Sequence, residues 1–198
     1  MNYTNEFLEE SKNIIDKLNR DQIEKSVELI IKTRENKGRI FFIGVGGGAG
    51  HCSHAVNDFR KIAGIESYTP VDNVSELSAR TNDDGWDSVF KAWLKTSKIN
   101  ENDLMFVFSV GGGNIEKKIS TNIVTALEYA KSKNAKVIGV VGRDGGHTAK
   151  VADACVIIPP LNPKTITPQT ESFQALLWHL IVSHPKVCIN EMKWESVK

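Results

Sequence analysis

Residues 39–50 read RIFFIGVGGGAG: an unbroken apolar run at 40–43 passes straight into a glycine-rich segment at 44–50, and residues 51–63 continue in a helical pattern. A strand that is apolar at successive positions, rather than alternate ones, is buried on both faces, as strands of a parallel sheet are. The unit repeats along the chain. Residues 104–109 (LMFVFS) run into VGGGN at 110–114 and then a helical stripe of Ile119, Ile123, Ala126, Leu127 and Ala130. Residues 136–141 run into GRDGGH at 142–147, and 154–158 stop at Pro159 and Pro160. Strands alternating with helices predict an α/β doubly wound parallel sheet.

Either side of this core the pattern is helical. Phe7, Ile14, Ile15 and Leu18, then Ile23, Val27, Ile30 and Ile31, make two amphipathic stripes within residues 1–36. These are read as an N-terminal helical extension that lays one face on the domain or on a neighbouring subunit, with residues 37–198 as the remainder of a single domain. Residues 169–183 form a strongly apolar helix through Phe173, Leu176, Leu177, Leu180 and Ile181. Between 64 and 103 we expect a strand at 66–71, a polar connection at 78–85 and a helix at 86–97. Trp86, Trp93 and Trp178 read as core or subunit interface, and Trp194 as a contact in the tail.

Composition excludes several classes of protein. The 198 residues carry 25 Lys+Arg against 24 Asp+Glu, so no bulk field draws the chain to nucleic acid or lipid headgroups. Cys52, Cys155 and Cys188 are widely spaced with no CxxC pair, which argues against a disulfide framework and a cysteine-built zinc site. The acidic, periodic N-terminus has no basic and apolar regions of a signal peptide. No apolar run approaches the roughly 20 residues of a membrane span. The expected location is the cytoplasm.

Ligands of open parallel sheets bind off the carboxyl ends of the strands, where glycines let backbone N–H groups approach an anion. The glycine loop at 44–50 is neither a dinucleotide fingerprint, for want of an acidic residue at the next strand end, nor a P-loop, for want of its terminal Gly-Lys-Ser/Thr. On the helix after it, His54 and Asp58 stand at i, i+4 on one face. Glu171 and His179, eight residues apart, lie near one stripe of the last helix. Each pair has a plain reading as well, a surface hydrogen bond or a packed histidine. Together they form an N/O donor set suited to zinc or another divalent ion. His51, beside the glycine loop, can face an anion. Cys52 reads as a small packing residue, since no basic group nearby activates it.

These residues resemble the sugar isomerase (SIS) domain family, and within it the phosphoheptose isomerases, through GVGGGAGHCSHAVNDF, TNDDGW, FSVGGGN, GRDGGHTAKVAD and ESFQALLWH. The resemblance covers nearly the whole chain. It implies a five-stranded parallel sheet flanked by helices, a homotetramer with active sites between subunits, and conversion of sedoheptulose 7-phosphate to glycero-manno-heptose 7-phosphate for bacterial lipopolysaccharide or capsule. By position, it implies Asp58 and His179 as acid/base groups and His54, Asp58, Glu171 and His179 as a zinc site. It assigns Val45, Gly46, Gly47 and Gly48 to a first sugar-phosphate loop, and Ser109, Val110, Gly111 and Asn114 to the phosphate loop. Asn82 and Asp83 match a substrate-contacting pair. Departures from the family pattern are Gly48 for Ser, Asp58 for Glu, Glu171 for Gln, and a second loop stripped of most of its hydroxyls. Two other readings remain: a non-catalytic SIS module that binds a sugar phosphate or a protein partner, and an isomerase of another sugar phosphate.

Overall fold

The computed structural model describes residues 2–193. Two helices, α1 (Tyr3–Lys17) and α2 (Arg20–Glu35), are capped by Asn2 and Asn19, whose side chains accept from Asn5 N and Gln22 N. There follow β1 (Ile40–Gly44), α3 (Gly47–Lys61), β2 (Ser67–Tyr68), α4 (Val74–Asp84), α5 (Val89–Thr96), β3 (Leu104–Ser109), α6 (Thr121–Ser132), β4 (Lys136–Val141), α7 (Gly146–Val151), β5 (Ala154–Ile157) and α8 (Ile166–Ser183). The strands form one five-stranded sheet in the order β2-β1-β3-β4-β5, every pair parallel. This is the doubly wound sheet the apolar runs predict.

The two-sided burial of the strands has a direct cause. Ile40, Phe42, Phe106, Phe108, Ile138 and Val140 point into a core shared with α2, α3 and α8. Their neighbours Phe41, Ile43, Met105, Val107 and Val137 point into a second core, shared with α5 and α6. Successive side chains thus meet opposite helical layers, so neither face tolerates polar residues. At the lower edge, the Arg39 guanidinium reaches both Asp103 carboxylate oxygens, at 3.1 and 2.8 Å, tying the starts of β1 and β3. The register pairs Gly44 with Phe108 and Ser109 with Val141, so the loops after β1, β3 and β4 leave the sheet side by side.

Several boundaries differ from expectation, each for a physical reason. The helix expected at 51–63 begins at Gly47, because the glycines are its first turn rather than a free loop. A Cβ at Gly44 would stand 2.5 Å from the Gly48 carbonyl carbon, and one at Gly48 the same distance from the Phe108 carbonyl oxygen, so only glycine lets α3 start this close to the sheet. The strand expected at 66–71 shrinks to Ser67–Tyr68, a short edge strand. The polar connection expected at 78–85 is the end of α4, capped by Asn73, whose side chain accepts from Glu76 N. α4 buries no residue fully, so it lacks the apolar stripe that marks a helix in sequence. The helix expected at 86–97 spans Val89–Thr96, and α8 begins three residues earlier than expected, at Ile166. Ile119 is not helical; it closes a small turn by bridging to Asn114 and is exposed. Trp178 is buried, Trp93 packs edge-on to Phe41 at 5.5 Å, and Trp86 is exposed. Trp194 lies outside the described residues. All three cysteines are free; Cys52 is fully buried, and burial pushes its thiol pKa well up, as a packing residue requires.

Candidate functional site

The order β2-β1-β3 puts a topological switch point between β1 and β3, where consecutive crossovers leave for opposite sides and open a crevice. A cleft of about 740 Å³ lies there, lined by Val45 from the first loop and Ser109, Val110, Gly111 and Asn114 from the second. All five are among the expected ligand contacts. Lys117, Ser120, Arg143 and Thr167 line the same cleft and are not among the expected contacts, although Arg143 stands inside the GRDGGH motif. Each is a single polar residue in or beside a loop, and only its place near a strand's carboxyl end could have flagged it.

The second loop owes its shape to the third. Thr148 N and Thr148 Oγ1 both donate to the Gly112 carbonyl, at 2.9 and 2.8 Å, and His147 N donates to the Gly113 carbonyl at 2.8 Å. GRDGGHT is therefore a strut: its backbone packs on the backbone of VGGGN and holds it open to the cleft. Ser109 Oγ braces the loop internally by accepting from Gly112 N at 3.0 Å, and Asn114 Oδ1 accepts from Lys117 N at 2.8 Å.

Where α3 meets α8, outside the residues that line the cleft, the exposed His54, the buried Asp58 and the half-buried His179 offer ligand atoms that all lie within 4.8 Å of one another. The His54 and His179 rings stand perpendicular with centroids 5.4 Å apart, and the buried Trp178 indole lies 4.7 Å from His54. His179 Nδ1 donates to the Ala175 carbonyl at 2.8 Å, which leaves Nε2 as the unprotonated nitrogen of the neutral ring, free to ligate a cation or accept a proton. Asp58 is 3% exposed; its Oδ1 accepts from Asn57 Nδ2 at 2.8 Å, while Oδ2, also buried, has no hydrogen-bond partner. A buried carboxylate oxygen without a donor is costly. Two imidazole nitrogens beside it complete a donor set that fits a divalent cation.

The fourth expected ligand, Glu171, stands apart from this cluster. Its carboxylate rests against the first turn of α3: both oxygens would lie 2.6 Å from a Cβ at Gly47, a position that suits an anion at a helix N-terminus. From there it faces His51, whose imidazole is held below its ordinary pKa by burial, against the pull of the Glu171 charge. Asn82 and Asp83 are exposed on α4, bonded to each other at 2.8 Å, and do not line the cleft of their own chain.

A parallel sheet with its switch-point cleft framed by glycine loops defines an α/β ligand-binding protein, with a carboxylate–imidazole cluster on the adjoining helices. The chain belongs to the SIS domain family, whose profile matches residues 2–142. That match ends before α8, so Glu171 and His179 lie beyond it. The phosphoheptose isomerase of Helicobacter pylori (strain ATCC 700392 / 26695) is 28% identical over 166 residues, 81% of each chain. That of Buchnera aphidicola subsp. Schizaphis graminum is 31% identical over 146 residues, 70% of each. The structure of phosphoheptose isomerase from Neisseria gonorrhoeae superposes with a TM-score of 0.77 at 23% identity, covering 90% of this chain and 95% of that one, and shows the same fold.

Proposed function

We propose that the protein is an aldose–ketose isomerase of a sugar phosphate, with sedoheptulose 7-phosphate as the first candidate and D-glycero-D-manno-heptose 7-phosphate as its product. The observation that carries this reading is the buried, unpartnered Asp58 Oδ2 facing His54 and His179, in a chain similar to phosphoheptose isomerases. The reaction needs a base that takes a proton from the carbon beside the carbonyl and returns it to the neighbouring carbon, through an enediol. Asp58 and His179 are the acid/base pair in this reading. Burial keeps bulk water from competing for the free Asp58 oxygen, and the bond to Ala175 aims His179 Nε2 at the reacting face. A zinc ion bound by His54, Asp58 and His179 would polarise the carbonyl and steady the enediolate. Val45, Gly46, Gly47 and Gly48, with Ser109, Val110, Gly111 and Asn114, would frame the sugar phosphate, with His51 and Glu171 at its side. Main-chain N–H groups of these loops would hold it, other than those of Gly48 and Asn114, which donate to the Val45 and Ile119 carbonyls. The cytoplasmic supply of heptose for lipopolysaccharide or capsule is the setting this activity implies; among the described residues no helix is long and apolar enough to cross a membrane.

Purified protein given sedoheptulose 7-phosphate is expected to form the aldoheptose 7-phosphate. No product from this or any other ketose phosphate overturns the isomerase reading. Sugar-phosphate binding without turnover, as in a regulatory module, is the second reading. It is favoured by the second loop, whose Ser109 and Asn114 are engaged in bracing it.

Metal content follows from the same cluster. Protein purified without chelator should carry up to one divalent ion per chain, and His54→Ala and His179→Ala should each lower occupancy sharply. Glu171→Ala should have the smaller effect, because its carboxylate lies against Gly47. Elemental analysis after zinc addition at neutral pH checks this, and an empty wild-type protein rejects the site.

We further take residues 1–36 and 37–198 as one functional unit that assembles as a homotetramer. α4 buries none of its residues fully and carries Asn82 and Asp83. α1 exposes Tyr3, Leu8 and Ile15, and α8 exposes Leu176 and Leu180. Covering these faces with neighbouring copies would let Asn82 and Asp83 reach another subunit's cleft. Light scattering at micromolar concentration should give four chains; a monomer overturns the assembly.

A further inference from the structure

The switch-point cleft has no hydroxyl at positions 110–113, its hydroxyls being those of Ser109, Ser120 and Thr167, and it carries an excess of positive charge. Positions 110–113 are Val-Gly-Gly-Gly, and the polar residues at either end, Ser109 and Asn114, are already bonded within the loop. Two cations line the cleft, Arg143 and Lys117, against one carboxylate, Asp144, whose Oδ1 accepts from Gly146 N at 3.1 Å. Among the described residues neither cation enters an ion pair. Arg143 is held at φ +52°, a left-handed conformation uncommon outside glycine, at the carboxyl end of β4. A Cβ on Gly111 would touch Arg143 Cδ at 3.8 Å, so the arginine stem runs beside the bare backbone of that glycine. Strained backbone that presents an unpaired guanidinium to a cleft points to a ligand.

We propose that Arg143 is a specificity-determining residue for the phosphate group: its guanidinium, carried past Gly111, engages the tetrahedral dianion beside a loop segment that has no hydroxyl at positions 110–113. The planar fork of arginine spans two phosphate oxygens with charge-assisted hydrogen bonds, which a single hydroxyl cannot do. Lys117 adds a second positive charge to the same cleft. The inference rests on reading the cleft as a sugar-phosphate site, whether or not the bound sugar is turned over.

The test is isothermal titration calorimetry on the full chain with inorganic phosphate, sedoheptulose 7-phosphate and unphosphorylated sedoheptulose as separate probes. Arg143→Gly suits the left-handed backbone and so keeps the loop's shape; Arg143→Lys keeps charge but loses the fork. Arg143→Gly should weaken both phosphates by on the order of 10- to 100-fold and change sedoheptulose binding by less than about twofold. Arg143→Lys should fall between. With turnover present, Arg143→Gly should raise KM and leave kcat nearly unchanged, the mark of lost uniform binding. Phosphate affinities within about twofold of wild type in Arg143→Gly overturn the proposal, as do equal losses for the unphosphorylated sugar or a wild-type protein that binds neither phosphate. Failure of the isomerase reading looks different: no product from any ketose phosphate, with arginine-dependent phosphate binding intact.

Discussion

Asp58→Asn should lower turnover of the sugar phosphate by on the order of 10²–10⁴, the usual worth of positioned general acid–base catalysis. The substitution keeps the shape and the hydrogen bond from Asn57 but removes the base and the anionic ligand. It also removes a buried oxygen with no donor, so the variant should melt within a few degrees of wild type, which separates lost chemistry from lost fold. Two roles compete for this carboxylate, and metal content tells them apart. If Asp58 is mainly a ligand, the Asn variant loses metal and activity together, and excess metal recovers part of both. If it is the base, metal stays near the wild-type level while turnover collapses. Asp58→Glu should be tolerated far better, since it keeps a carboxylate and gives it the reach of the longer acid that the family resemblance implies at this position. Unchanged turnover and metal in Asp58→Asn would remove both roles and move the regulatory reading ahead.

The parts of the molecule legible in sequence are those where one physical demand acts on consecutive residues. Phe41 and Phe42 face different cores, so the strand has to be apolar throughout, and that alone marks a parallel sheet. The i, i+4 placement of His54 and Asp58 is equally plain, because a single helix fixes it. Their meeting with His179 is not, because it depends on how α3 and α8 cross, and no spacing within either helix encodes that. Family resemblance supplies it. α4 reads as a loop because it buries no residue fully in its own chain, only Leu77 packing half-buried against the core, although Asn73 and Glu76, three apart, form a capping signal that reveals its start. Glu171 groups with the histidines on residue type, yet it sits against the first turn of α3. Arg143 stands inside a glycine motif whose pattern points to its neighbours, and only the fold shows that it reaches the cleft.

Gly112→Ala should be among the most damaging single substitutions in the loops that frame the cleft, at about 3–5 kcal/mol. Gly112 sits at φ +67°, which costs an alanine roughly 1–2 kcal/mol in backbone strain. Its new Cβ would overlap the Gly145 carbonyl oxygen and stand 2.6 Å from the carbonyl carbon. Both neighbours are main chain, so no side chain can swing away. Relief requires the second loop to pull off the GRDGGHT strut, and that breaks the two bonds from the fully buried Thr148 to the Gly112 carbonyl. Leaving buried polar groups unpaired costs about 1–3 kcal/mol each. At roughly 2–4 °C per kcal/mol for a chain of this size, melting should fall by about 10 °C, and phosphate binding should fail with it. Gly50→Ala is the control. It lies in the same kind of glycine-rich segment, but within α3, where an added Cβ would meet no atom within 4 Å. There alanine should stabilise the helix by about 0.5–1 kcal/mol. If Gly112→Ala melts like wild type, the third loop does not hold the second. If Gly50→Ala destabilises as much, the glycines of α3 serve a contact from outside the chain, and the neighbouring subunit becomes its source.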